Sequence, residues 1–292
     1  MASGLLDRPE TDATAGVAPR SSTGIWWKVA AGVWMALGVA MAFLYMRPAV
    51  GFSMHGNGAR IVVFHVPCAW LACWGYVVGA WYALQHLAFL QRGEPAGASR
   101  ARWTPALAIL ALAFLAGPGA IKAGSLPFLV GLAWSTWRPD RTADARSAVA
   151  MELGLLFAAL ATVTGSIFSH NEWTSYWSWD PRQTSIVVIL LIFAAYVVLR
   201  GAVIDPRTRG RVCAAYALVA VVPGLFLIWV LPRIVETLHS GPNQAVVGGG
   251  LGPTYRLVLW GFMLPAFMGL FAWLHDLGVR FKGLEERFRR AV

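Results

Sequence analysis

Apolar and polar residues follow one another along this chain in long blocks, and the blocks outline its architecture. Six apolar stretches, at about 25–46, 61–90, 147–169, 184–200, 212–232 and 256–276, are separated by shorter polar segments. About 20 apolar residues in a helix cross the ~30 Å hydrocarbon core of a bilayer. Main-chain N–H and C=O groups find no partners in lipid, so each stretch is predicted to be a helix that bonds them internally. A seventh apolar region, 104–137, is interrupted by Gly117, Pro118, Gly119, Lys122, Gly124 and Pro127. Arginines flank it on both sides, so it crosses twice or not at all, and a re-entrant hairpin or a tilted helix pair is expected there. The predicted fold is all-α: a polytopic membrane bundle of six core helices, with room for an extra hydrophobic hairpin at 104–137.

Composition narrows the class. With 58% hydrophobic and 13% charged residues among 292, the chain lacks the polar surface of a soluble domain. With the N-terminus inside, Arg47, Arg60, Arg182, Arg233 and Arg256 fall on the outer side, and the other nineteen of the 24 Lys and Arg residues fall on the inner side. Cytoplasmic loops hold an excess of these residues, so both termini are expected inside and segment 172–185 outside. The net charge of +10 is spread over several loops, which suits anionic headgroups and not a nucleic-acid groove. Residues 1–24 are polar and include acidic side chains, and they read as a disordered cytoplasmic tail and not a cleaved signal peptide. Residues 25–280 read as one membrane domain with an inserted segment at about 92–146, and residues 281–292 as a basic cytoplasmic tail. Cys68, Cys73 and Cys213 form no CxxC pair and read as small buried apolar residues.

Segment 172–185, EWTSYWSWDPRQTS, stands apart. It is too polar to span, yet it holds three tryptophans and a tyrosine within residues 173–179, followed by Asp180, Pro181 and Arg182. Two further outer segments, ARIVVFHVPCAW (59–70) and LPRIVETLHSGPN (231–243), place His65 and His239 at helix ends on the same side. A flat macrocycle with a central iron and carboxylates on its rim asks for aromatic faces, imidazole nitrogens and cationic groups. Trp173, Tyr176, Trp177 and Trp179 supply faces; His65 and His239 supply imidazoles; Arg60, Arg182 and Arg233 supply cations. Asp180 is expected to anchor the loop, by capping the helix that starts near Pro181 or by pairing with an Arg or an indole N–H. The competing reading is an interfacial belt, since Trp and Tyr gather at membrane surfaces. Trp26, Trp27, Trp81, Trp103 and Trp260 are read that way, and His55, His86, His170 and His275 as ordinary satisfied histidines, with His170 close enough to the motif to be a spare ligand.

WTSYWSWDPRQTS resembles the tryptophan-rich WWD signature of the heme-handling membrane proteins of cytochrome c biogenesis, the CcmC/CcmF/CcsA family. DPRQTS is similar to the form found in the CcmC branch, the heme exporters, as are RIVVFHVPCAW at the second helix and ETLHSG before the last. The resemblance covers most of residues 25–280. It implies non-covalent heme b at the outer face of the bacterial plasma membrane, lying on Trp173, Tyr176, Trp177 and Trp179 with Asp180, Arg60 and Arg182 around it. His65 and His239 are the implied axial ligands of the iron. It also implies delivery to a periplasmic heme chaperone, CcmE, with the ABC-type subunits CcmA and CcmB as further partners and no catalytic motif in this chain. Where the family pattern has Gly and Trp, this sequence has Thr174 and Tyr176, and its segment 92–146 is longer than the family's short inner loop.

Other classes ask for other features. A synthase-type heme lyase would carry large outer domains for apocytochrome c, although Pro181 is similar to that branch too. A quinone-linked cytochrome b would carry histidine pairs within its helices, where only His86 is placed. A plain transporter would carry ionisable groups at the midplane of its spans. No GxxxxGK[ST] loop is present for ATP, and no CxxCH for covalent heme attachment.

Overall fold

The structure is a computed structural model that describes residues 23–46, 58–92, 137, 139–238 and 252–291. All regular structure among them is helical. The expected tail 1–24 falls almost wholly outside the described residues. So does the hairpin expected at 104–137, apart from Trp137, whose ring meets Trp81 edge to face at 5.4 Å.

Six long helices form the bundle. Helix α1 spans Thr23–Ala40 and ends in a π-helical turn, Met41–Tyr45. A 3-10 turn, Gly58–Ile61, leads into α2, Val62–Arg92. Helices α3, Ala143–Trp173, and α4, Pro181–Ala202, flank the tryptophan-rich segment. Helix α5, Pro206–Leu225, continues through a π-helical turn, Phe226–Val230, into a short turn, Leu231–Ile234. The last helix begins with Pro253–Arg256, passes through a π-helical stretch, Leu257–Met263, and runs on as α6, Leu264–Ala291. Each of the six is long and apolar enough to cross a membrane, and the chain is a multi-pass membrane protein.

Helices α2 and α3 form the centre, and glycine lets their backbones touch. A Cβ on Gly75 would lie 2.5 Å from the Gly154 Cα, and one on Gly79 would lie 2.7 Å from the Met151 sulfur. In lipid, where apolar burial drives little association, such small-residue contact lets van der Waals packing hold helices together. On the far side of Gly154 sits the Phe193 ring of α4, which stacks on Tyr76 of α2 with centroids 3.8 Å apart. The Tyr76 hydroxyl, buried in this core, donates to the Ile189 carbonyl at 3.1 Å. Helix α1 packs at the edge, where Trp34 donates from Nε1 to the Gly261 carbonyl and stacks on Phe262.

The two ends of the bundle differ. At one end the tryptophan-rich segment links α3 to α4. At the other, ion pairs join the helices: Arg200 of α4 grips Asp144 of α3 through two hydrogen bonds of 2.9 and 2.6 Å, and Lys282 of α6 meets Glu152 of α3 at 2.7 Å. The basic stretch 281–292 continues α6 as helix through Ala291, with Arg280–Asp276 and Arg289–Glu285 pairs along its surface. All three cysteines are buried and free, as expected of small apolar residues.

Candidate functional site

The segment after Trp173 is built to hold one shape. Helix α3 ends where Thr174 takes a left-handed backbone conformation, φ 58°, and Trp179 takes a second one, φ 56°. Between these two reversals the loop is held by hydrogen bonds to short polar side chains. Gln183, buried in the first turn of α4, accepts from the Ser178 N–H at 2.8 Å and from the Ser178 hydroxyl at 3.2 Å. Its amide nitrogen donates to Ser169 Oγ of α3 at 3.1 Å, and Ser169 in turn donates to the Ser175 carbonyl at 2.7 Å. Ser175 donates to the Trp177 carbonyl and Thr184 to the Trp179 carbonyl. A loop tied at this many main-chain points is fixed before anything binds it.

Asp180 closes the segment. Its Oδ1 accepts from the Arg182 N–H at 2.9 Å, so it caps α4 with Pro181 in the first helical position. The capping role open to it from sequence is thus observed. Its Oδ2 does something further, accepting from the Leu238 N–H at 2.6 Å. One carboxylate, 6% exposed, therefore ties the start of α4 to the segment that follows α5. His239 and the side chain of Arg233 lie outside the described residues, and Leu238 immediately precedes His239 in the chain.

With the loop fixed, large aromatic faces stay open. Trp179 is 68% and Tyr176 59% exposed, against the burial usual for such residues. Trp177 is half-buried and meets Trp179 edge to face at 5.7 Å. Tyr176 stacks on His170 at 4.1 Å, so this histidine already has an aromatic neighbour. Trp173 is half-buried and meets Phe168 edge to face at 5.7 Å.

His65 reaches the same end from α2. Its ring lies parallel to Phe168, 4° between planes and 6.5 Å between centroids, so Phe168 stands between His65 and Trp173. It is packed against Gly165, where a Cβ would come within 2.8 Å of the His65 Cε1. Thr164 Oγ1 lies 3.1 Å from His65 Nδ1. Arg60, one turn before His65, donates from Nη2 to the Met46 carbonyl at 2.8 Å and so pins the end of α1. Its Nε is buried with no hydrogen-bond partner among the described residues. The structure thus gathers His65, Arg182, Trp173, Tyr176, Trp177, Trp179 and Asp180 at one end of the bundle, with Arg60 beside them.

Residues 19–239 match the family described as cytochrome C assembly protein. The chain belongs to that family. The match takes in α2, the whole aromatic segment and the histidine that follows Leu238. Among individual relatives, the chain is 31% identical over 161 residues to a protein of Bradyrhizobium diazoefficiens named heme exporter protein C, an alignment covering 55% of this chain and 60% of that one. It is 30% identical over 137 residues to the protein of the same name from Escherichia coli K12, covering 46% and 54%. It is also 33% identical over 98 residues to cytochrome c biogenesis protein CcsA of Coffea arabica, covering 34% and 28%. This family member therefore spans a little over half the length of the two exporters.

Sequence reasoning found the conspicuous groups and missed those that hold them. Gln183, Ser169, Thr164, Gly165 and Phe168 drew no attention. Gln183 left a faint signal, an amide side chain in the first turn of an otherwise apolar helix. Thr164, Gly165 and Phe168 recur at helical spacing on the face of α3 that meets His65, a pattern readable only once the pairing of α2 with α3 is known.

Proposed function

We propose that this protein binds heme at the outer face of the bacterial plasma membrane and presents it to a periplasmic heme chaperone of the CcmE type during cytochrome c maturation. The observation that carries this reading is the juxtaposition just described. A rigid loop leaves indole and phenol faces open, and an imidazole from a separate helix is fixed beside it through Phe168. Exposed aromatic faces are costly in water and suit a flat apolar cargo. The residues present fit heme b held without covalent bonds, with Trp173, Tyr176, Trp177 and Trp179 against the macrocycle and His65 and His239 for the iron. Arg60, Arg182 and Arg233 supply charge for its carboxylates, and the Nε of Arg60, which has no hydrogen-bond partner among the described residues, is one donor left for that purpose.

The role of the chain in this reading is to hold and hand over, not to catalyse. A loop fixed in advance costs little to bind to, while aromatic faces open on the outer side leave the cargo reachable by its acceptor. The CcmA and CcmB subunits are the partners this reading assigns to the membrane. The names of the two heme exporter relatives support it.

The test is an absorption spectrum of the detergent-purified protein loaded with heme. His65→Ala should abolish the bis-imidazole spectrum, and Trp177→Ala should lower heme occupancy while keeping the spectral type. Retention of the wild-type spectrum in both His65→Ala and His239→Ala would overturn the ligand assignment. The similarity to CcsA favours a second reading, a synthase-type heme lyase. Thioether formation on a CxxCH peptide supplied with heme and this chain alone would establish that reading in place of the first.

A further inference from the structure

The contact between Thr164 and His65 determines more than the position of the ring. The Thr164 hydroxyl lies 2.7 Å from the Leu160 carbonyl and 3.3 Å from that of Ala161, the back-bonded arrangement common for Thr within a helix. A hydroxyl has one hydrogen, and a carbonyl can only accept, so that hydrogen is committed to the main chain of α3. Toward His65 Nδ1, 3.1 Å away, Thr164 Oγ1 therefore presents a lone pair. A hydrogen bond there needs the hydrogen on Nδ1. In a neutral imidazole this leaves Nε2 as the bare nitrogen.

The surroundings prevent the ring from evading this constraint. Gly165 admits the imidazole edge so closely that any side chain would collide with it. Phe168 lies parallel to the ring, on the same helix as Gly165. Thr164, Gly165 and Phe168 thus form one seat on α3, and α3 is locked to α2 by the Gly75–Gly154 contact.

We propose that Thr164 is a positioning residue that holds His65 as the Nδ1–H tautomer, which leaves the Nε2 lone pair for a metal. An acceptor on the remote ring nitrogen fixes the tautomer and raises the basicity of the ligating one. The tautomer stands on the geometry alone; its use in binding rests on the reading of His65 as a heme ligand.

The test uses the full-length protein without heme, labelled with 15N-histidine, in detergent. Imidazole 15N shifts distinguish the two tautomers, and the His65 signals are assigned by their loss in His65→Ala. Wild type and Thr164→Ser should show hydrogen on Nδ1. Thr164→Val, equal in shape but without an acceptor, should lose that preference. Heme titration of the same proteins should give Thr164→Val an affinity lower by about 10-fold or more, with Thr164→Ser near wild type. Hydrogen on Nε2 in the wild type, or a Thr164→Val variant matching wild type in both shifts and affinity, overturns the proposal. If the Nδ1–H signal is present but His65→Ala binds heme as well as wild type, the tautomer assignment is upheld and the ligand reading fails.

Discussion

The tripeptide Asp-Pro-Arg occurs twice in this chain, and each time it starts a helix. At Asp180 it opens α4 and at Asp205 it opens α5, at opposite ends of the bundle. The local geometry is the same: the aspartate side chain accepts a main-chain N–H of the first turn and proline follows it. The surroundings are not. Asp205 is exposed and bonds within its own turn, to Thr208, whereas Asp180 is buried and spends its second oxygen on Leu238. A short motif thus fixes how a helix begins, while the residues packed around it decide whether the same carboxylate is a surface cap or a joint between two segments.

Four substitutions probe this difference. Asp180→Ala removes a cap and the charge-assisted hydrogen bond from the Leu238 N–H, so it should lower unfolding free energy by about 2–4 kcal/mol. Thermal unfolding in detergent measures it, and a loss no larger than that of Asp205→Ala would show that the second tie is idle. Gln183→Leu should come next, at about 1–3 kcal/mol, because it strands the Ser178 N–H and frees Ser169. Limited proteolysis within 174–179 should speed up in this variant, and an unchanged rate would mean the loop holds without it.

Thr174→Gly should move stability the other way, by about 1 kcal/mol, since a β-branched residue is strained at φ 58° and glycine is not. A lower unfolding temperature would show that the threonine side chain contributes more than its backbone costs. The smallest change is expected from Asp205→Ala. Hydrogen bonds from Thr208, through its side chain first and then its backbone, hold the Asp205 carboxyl below its ordinary value. A lowered carboxyl contributes stability above its unfolded-state value and loses it as pH falls through the folded one. The gap between wild type and Asp205→Ala should therefore close on acidification, and a constant gap would remove this account.

The same contrast marks what the sequence could reveal. All six spans were legible because lipid demands a long apolar helix for each crossing, whatever the helix packs against. The end of α6 was not, since an apolar stretch marks where lipid stops and not where the helix does; Asp276, Arg280 and Lys282 carry it onward through ion pairs. In the candidate site, the cluster of tryptophans, His65 and the cap at Asp180 were visible because their chemistry is unusual in place. Thr164, Gly165 and Gln183 were not, because each is ordinary by type and acts only through a neighbour distant in sequence. The bond from Leu238 to Asp180 spans 58 positions and leaves no local trace.

The meeting of Gly75 and Gly154 has one more consequence. With no side chain between them, the two helices cannot slide or roll without their main chains colliding, so they move as a single strut. His65 rides on one half of that strut and Phe168 with Trp173 on the other, which makes the spacing between imidazole and indole a fixed dimension of the molecule. Any widening of that end to let a bound object in or out falls to segment 235–238 rather than to the strut, and the hydrogen bond from Leu238 to Asp180 is one of its fastenings.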